Sequence, residues 1–388
     1  MRHWKRLAID LASLRVLHFC DLPSGARLAE GENWVANIKG RIAMQTKQIF
    51  LAITCAIVAA TAVAQSANPV TLYGRVYVTY ESVRANEGTA PVATRIRVTD
   101  RLSLIGFRGT EDLGGGLKAF FQVESATPID VGGGTFASRN SGVGLTGRWG
   151  TVLLGRWDTP FKVVHAAIVD PFGDTAAPDI TGATLNQGNF SRRENNVVQY
   201  WSPNMSGFSL RAHYSANEGK TATANPYLTG ASVTYAAGAL YLAYAWEKHK
   251  DQNGASTAAG VNEIGNAVSA TYKIGSVKLS AQSGRYQRTG TETQRSYMAG
   301  LDWAIGKHVI LATYQNSKNG GVTTAAQPKC DLVGIGYRYD FSRRTSFVAD
   351  YTKVDNDVGS LCNFGTAPLT IGAGQDPRGA SVGLRHTF

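Results

Sequence analysis

The sequence predicts an all-β chain: a sixteen-stranded antiparallel barrel of the membrane-spanning type. Three observations carry this. From Val70 onward the apolar residues recur with a period of two. The connections between the alternating segments are short and long by turns. Composition agrees: only 17% of residues are charged, 43 of 388 are glycine and 10% are aromatic. That mix opposes coiled coils, helical solenoids and disordered tails, and suits strands joined by tight turns. No run of eighteen apolar residues is present, so a helical membrane bundle is excluded.

The N-terminal stretch is read apart from the barrel. Residues 49–64 (IFLAITCAIVAATAVA) are apolar, follow Lys47 and end in Ala62-Val63-Ala64. A basic start, a short apolar core and small residues at the end form a secretory signal. It occupies 44–64, with Met44 as its natural start, and residues 1–43 read as an upstream extension from a misassigned start. Cys55 follows Thr54 inside the apolar run, which does not fit a lipid-attachment site. Residues 1–64 hold eight Lys/Arg and four Asp/Glu, so the net +11 of the whole chain falls to +7 for 65–388. The remaining cations are not clustered, and an exported chain does not meet nucleic acid, so no nucleic-acid partner is expected.

In Val70–Glu81, Val70, Leu72, Gly74, Val76, Val78 and Tyr80 share one face and Thr71, Tyr73, Arg75, Tyr77, Thr79 and Glu81 the other. The same alternation marks Phe208–Asn217, Ala239–His249, Asp331–Phe341, Thr345–Val354 and Ala380–Phe388. Short turns are expected at 111–116, 148–150, 202–207, 236–238, 275–276, 305–307 and 342–344. Long loops are expected at 82–93, 127–135, 158–191, 218–227, 250–263, 288–293, 318–329 and 355–377. Seven short and eight long connections imply sixteen strands, the pattern of an outer-membrane barrel. A soluble sandwich accounts for neither the count nor the rhythm. In lipid, only a closed sheet satisfies every backbone polar group. Its apolar face then lies outside, and sixteen strands enclose water. Small hydrophilic solutes and ions are the expected cargo.

The order and spacing of several motifs carry a resemblance. They are VTLYG (Val70–Gly74), GFRGTEDLGGGLKAFFQVE (Gly106–Glu124), SGVGLTGRWGTVLLGRWDTPF (Ser141–Phe161), RENNVVQYWSPNMSGFSLRAHY (Arg193–Tyr214), GYRYDFSRRTSFVADYTK (Gly336–Lys353) and the ending GLRHTF (Gly383–Phe388). Residues 68–388 resemble the trimeric general porins of Gram-negative bacteria, in their β-proteobacterial branch. The resemblance implies passive diffusion through the outer membrane, a homotrimer with one pore per protomer, and contact with outer-membrane lipid and lipopolysaccharide. It also implies that Phe388 is the assembly signal read by the barrel-insertion machinery, and that the third long loop, residues 158–191, folds inward as a constriction.

That loop carries Asp170, Asp174 and Asp179. The resemblance sets arginines on the facing wall, here Arg139 and Arg193. Arg75 joins them by strand parity, because it shares a face with Tyr73 and Tyr77. Facing charges of opposite sign would make a transverse field, and wall arginines favour anions. The expectation is a mild anion preference. One departure weakens the cluster: porins of this type read Ser-Arg-aliphatic-Gly-Phe where this chain has Ser103-Leu104-Ile105-Gly106-Phe107. Arg95, Arg97 and Arg101 are the nearby candidates to replace the missing arginine.

Cys330 and Cys362 remain after export and are disulfide candidates, an even pair in an oxidising compartment. Gly142–Gly147 matches G-x-G-x-x-G, but a strand follows where a dinucleotide site needs a helix. No metal-ligand spacing, cofactor fingerprint or catalytic motif is present in the sequence, so neither enzyme chemistry nor a cofactor is expected. The rival readings are a substrate-specific channel and an outer-membrane barrel enzyme. Saturation by a solute would separate the first of these from free diffusion.

Overall fold

The computed structural model describes residues 70–87, 91–173, 175–185, 189–216, 218–254, 256–318 and 328–388. The expected extension at 1–43, the signal at 44–64 and Asp174 lie outside them. The strands are β1 (Thr71–Asn86), β2 (Val92–Asp100), β3 (Leu104–Gly114), β4 (Leu117–Ala126), β5 (Ser141–Gly147), β6 (Gly150–Asp158), β7 (Arg193–Trp201), β8 (Phe208–Ser215) and β9 (Tyr227–Ala237). They continue as β10 (Leu240–Asn253), β11 (Ser256–Ile274), β12 (Val277–Arg288), β13 (Gln294–Ile305), β14 (His308–Lys318), β15 (Lys329–Asp340), β16 (Thr345–Asn356) and β17 (Asp376–Thr387).

β1 pairs with β2 along its second half and with β3 along its first, so β2 and β3 are two lengths of one wall strand. From β3 each strand pairs antiparallel with the next, and β17 returns to β1. The seventeen segments therefore close a barrel of sixteen strands. The expected count stands, with a break at Arg101–Ser103, where Leu102 takes a left-handed φ of 59°. Closure leaves no sheet edge in lipid.

The two faces of the wall follow the alternation. Leu72, Tyr80 and Leu384 are 52%, 55% and 57% exposed, while Tyr77, Thr79 and Glu81 between them are buried on the inner side. The apolar face is therefore outward. Phe388 closes the seam: its N–H donates to Gly74 O at 3.1 Å, and its carbonyl accepts from Gly74 N at 3.0 Å. Two loops differ from expectation: most of 82–93 is strand, because β1 runs to Asn86 and β2 begins at Val92, and the second is longer. Residues 250–263 continue mostly as strand, because β10 and β11 extend as a ladder that pairs Lys250 with Asn262 and Asn253 with Ser256. Beyond the membrane both faces of such a hairpin meet water, so alternation no longer marks it in sequence.

The inner wall is not uniformly polar. Under the inward loop, Ala243, Ala245, Ala267, Tyr286 and Met298 form a buried cluster with the loop's own Phe161, Val164, Val169, Ile180 and Phe190. The alanines of the wall make room there, and the loop's aromatic and aliphatic side chains pack over them beside Tyr286 and Met298.

Candidate functional site

The inward loop leaves the wall at Asp158. Thr159 caps a short helix α1 (Pro160–Ala166), with its Oγ1 accepting from Lys162 N at 3.3 Å and Pro160 in the first turn. Phe161 and Phe190 anchor the two limbs, each fully buried, which contributes about 1.5–3 kcal/mol per side chain. The Phe190 ring stacks on His249 at 4.6 Å and on Tyr286 at 5.1 Å. His249 is itself held between Glu247 and Glu263, both at 2.8 Å. His165 of α1 lies against Ser269 Oγ at 2.5 Å, and complete burial pushes its imidazole down to about 3. It is neutral in the folded protein.

The loop also needs wall positions without side chains. An added Cβ at Gly300 would stand 2.6 Å from Pro171 Cγ, one at Gly336 2.5 Å from Phe172 Cε1, and one at Gly265 2.5 Å from Phe190 Cε1. Gly334 receives Pro178 in the same way. These glycines sit on the inner face of β11, β13 and β15 and form the seat of the loop.

Facing the seated loop is a basic wall. A space of about 170 Å³ is lined by Arg75, Arg139, Asp158 and the loop residues Lys162, Val163, Gly173 and Thr175. Arg75 Nη2 donates to Leu102 O at 2.7 Å. Arg139 Nε meets Glu124 Oε1 at 2.6 Å, and Tyr73 OH donates to the other Glu124 oxygen at 3.0 Å. Arg193 Nη2 meets Asp158 Oδ1 at 3.0 Å, and Lys162 Nζ stands 3.7 Å from the same oxygen. The structure thus brings Arg75 and Arg139 to one space, and ties Arg193 to that space through Asp158.

A second, smaller space beside Pro171 and Phe172 is lined by Tyr77, Arg338, Asp350 and Arg385. Arg385 lies directly across from Tyr77, and Arg338 pairs with Asp340 at 2.9 Å. Sequence reading did not single out Arg338 or Arg385. Strand parity could have found both, because Arg385 shares the polar face of the last strand with Ser381, Gly383 and Thr387.

The loop's own acids are a correction. Asp170 is buried, and its oxygens accept from Phe172 N at 3.0 Å and Ile180 N at 3.1 Å. Asp179 is fully buried and accepts from Thr181 N at 2.9 Å and Thr366 Oγ1 at 2.7 Å. Both carboxylates serve loop architecture and do not look across the passage, because aspartates in tight turns are taken up by nearby backbone amides. Asp174 is outside the described residues. Carboxylates of the wall and of the loop's root stand beside the cations of these two spaces instead: Glu124, Asp158, Asp340 and Asp350, with Asp302 paired to Lys278 at 2.8 Å.

The candidate replacements for the missing arginine behave differently from expectation. Arg101 is buried and paired with Glu81, with Nε donating to Thr79 Oγ1 at 3.1 Å. Arg97 meets the same glutamate at 2.8 Å. Both turn toward the eighth long loop, where Arg97 Nη2 donates to Ala367 O at 2.7 Å. Arg95 is exposed. Leu104 itself stands opposite Arg75 in the register. Cys330 and Cys362 are joined as a disulfide, with Cα atoms 6.2 Å apart. The G-x-G-x-x-G stretch is strand β5.

The comparisons with known proteins agree with this architecture. A family model described as Gram-negative porin matches residues 51–359. The chain is 30% identical to outer membrane porin protein 32 of Delftia acidovorans over 368 residues, covering 87% of this chain and 99% of the relative. It is 28% identical to the major outer membrane protein P.IB of Neisseria lactamica over 359 residues, 88% of this chain and all of the relative. Among solved structures it is similar to an anion-selective porin from Comamonas acidovorans, with a TM-score of 0.73 at 28% identity, covering 83% of this chain and all of the other. The trimer form of OmpT from Vibrio cholerae shares the fold, with a TM-score of 0.64 at 18% identity over 83% of this chain. A family model that matches most of the chain and a relative 30% identical along nearly its whole length show that the chain belongs to the Gram-negative porin family.

Proposed function

We propose that the chain forms a homotrimeric outer-membrane channel for passive diffusion of small hydrophilic solutes, with a preference for anions. The observation that carries the preference is the makeup of the throat. Among the described residues, Arg75, Arg139, Arg193, Arg338, Arg385 and Lys162 gather there, against the carboxylates of Glu124, Asp158, Asp340 and Asp350. To the space beside Arg75 and Arg139 the loop contributes, among the described residues, Lys162, Val163, Gly173 and Thr175. Cations that outnumber anions in a narrow, low-dielectric throat raise the local concentration of anions. The anion-selective porin of Comamonas acidovorans supports the same sign. The trimeric form of OmpT supports the assembly.

In this reading the protein is a channel and not an enzyme, residues 44–64 direct export, Phe388 is the assembly signal, and lipid and lipopolysaccharide contact the exposed outer face. The test is recording of the purified protein in planar bilayers under a KCl gradient. Conductance in steps of three with an anion-sign reversal potential is expected. A cation-sign reversal potential overturns the preference, and saturation by one solute overturns free diffusion.

A further inference from the structure

The inward loop is held from two sides. Its back rests on the glycine seat of the wall and on Gln315 of β14, whose Nε2 donates to Pro178 O at 3.1 Å and to Asp179 O at 2.8 Å. Its tip, from Ala176 to Gly182, is gripped by the eighth long loop, which joins β16 to β17. Gly365 N donates to Ala177 O at 2.9 Å, Asn363 N to Gly182 O at 3.4 Å, and the Thr366 hydroxyl to Asp179 Oδ2 at 2.7 Å.

The eighth loop is fastened in turn. Six residues beyond the end of β16 at Asn356, Cys362 is bridged to Cys330 on the inner face of β15. On the opposite flank, Arg97 and Arg101 reach from the wall to the carbonyls of Ala367 and Thr366 at 2.7 and 3.5 Å, and both arginines are anchored on Glu81. Between these two fastenings Cys362, Phe364 and Leu369 share one buried apolar cluster with Ala177 and Ala183 of the inward loop.

We infer that the eighth loop is a positioning element of the throat, acting on the face of the inward loop opposite Gln315 and the glycine seat. The Cys330–Cys362 bridge and the Thr366–Asp179 hydrogen bond act in series, from wall to eighth loop to inward loop, and fix where the tip of the inward loop stands in the passage. Long surface loops are mobile unless they are packed or tied. Here the tie shortens the free length of the eighth loop, which makes it stiff enough to hold another loop still. The Thr366, Asp179, Cys330 and Cys362 side chains are buried, so they act on conduction through the loop they hold. This inference rests on the porin reading, and deepens it.

The test is single-channel recording of the purified full-length protein as wild type, C330S/C362S, T366V and T366S, with hydrogen–deuterium exchange of the loop amides of Ala176–Gly182. In C330S/C362S and T366V, barrel content by circular dichroism stays at the wild-type level. Time spent in partly blocked sub-states rises about tenfold, the scale of losing one hydrogen bond to a charged acceptor. Exchange of the tip amides quickens while that of strand amides does not. T366S keeps the hydroxyl and behaves as wild type. Should C330S/C362S fail to fold, T366V carries the test alone, since it leaves the bridge in place. Wild-type sub-state occupancy or wild-type tip exchange in a folded T366V overturns the inference. Absence of conductance in the wild-type protein overturns the porin reading itself, a separate result.

Discussion

Leu104 stands directly across from Arg75 in the register of β1 and β3, and opposed residues of an antiparallel pair share one face. Arg75 points inward with Tyr77, so Leu104 places an apolar side chain beside the arginine on the water side. The substitution L104R should therefore restore a cation to the throat. We expect the anion-to-cation permeability ratio to rise by about fivefold, the effect of roughly 1 kcal/mol of added attraction. Reversal potentials in a KCl gradient measure it, and an unchanged value would refute the placement of Leu104.

Asp158 draws Arg193 and Lys162 to one carboxylate. D158N leaves both cations without that charge. Anion preference should rise in the same assay, while stability falls by about 1–3 kcal/mol through the lost charge-assisted bonds. Heat-dependent mobility on electrophoresis reads the second effect.

Asp170 separates two accounts of the inward loop. If its carboxylate formed half of a transverse field, D170N would shift ion selectivity. With both oxygens committed to the Phe172 and Ile180 amides, D170N should leave the reversal potential unchanged and lower loop stability by about 1–3 kcal/mol. Protease sensitivity of the loop together with the reversal potential distinguishes them.

His165 gives a pH dependence with a defined sign. Its imidazole is held down to about 3 by burial, against about 6.5 in an unfolded chain. Below pH 6.5 the unfolded chain takes up a proton that the folded protein refuses. The contribution of the neutral ring is complete above that pH, and is eroded steadily as pH falls toward 3. H165Q removes this titration. The fall in thermal midpoint between pH 7.5 and pH 4.5 should be smaller in H165Q than in wild type.

The wall was legible in the sequence because each strand meets lipid on one side and water on the other, and a period of two records that directly. Parity was enough to turn Arg75 inward, and it would have served for Arg338 and Arg385. It fails where the chain leaves the wall. Asp170 and Asp179 sit in turns whose geometry decides which amides they meet, and no periodicity reports that. Arg97 and Arg101 looked like substitutes for the missing arginine, yet both are committed to Glu81 and the eighth loop. The contact between the inward and eighth loops joins residues such as Asp179 and Thr366 that are 187 positions apart. Nothing local in either segment announces it.

The seat formed by Gly265, Gly300, Gly334 and Gly336 has a consequence for size exclusion. The calibre of the channel is set from behind. Each methyl group added at those four positions would act as a shim, moving Phe190, Pro171, Pro178 or Phe172 without changing any charge of the throat. A graded series of such shims would separate sieving by size from sorting by charge, two properties that changes at the arginines alone always alter together.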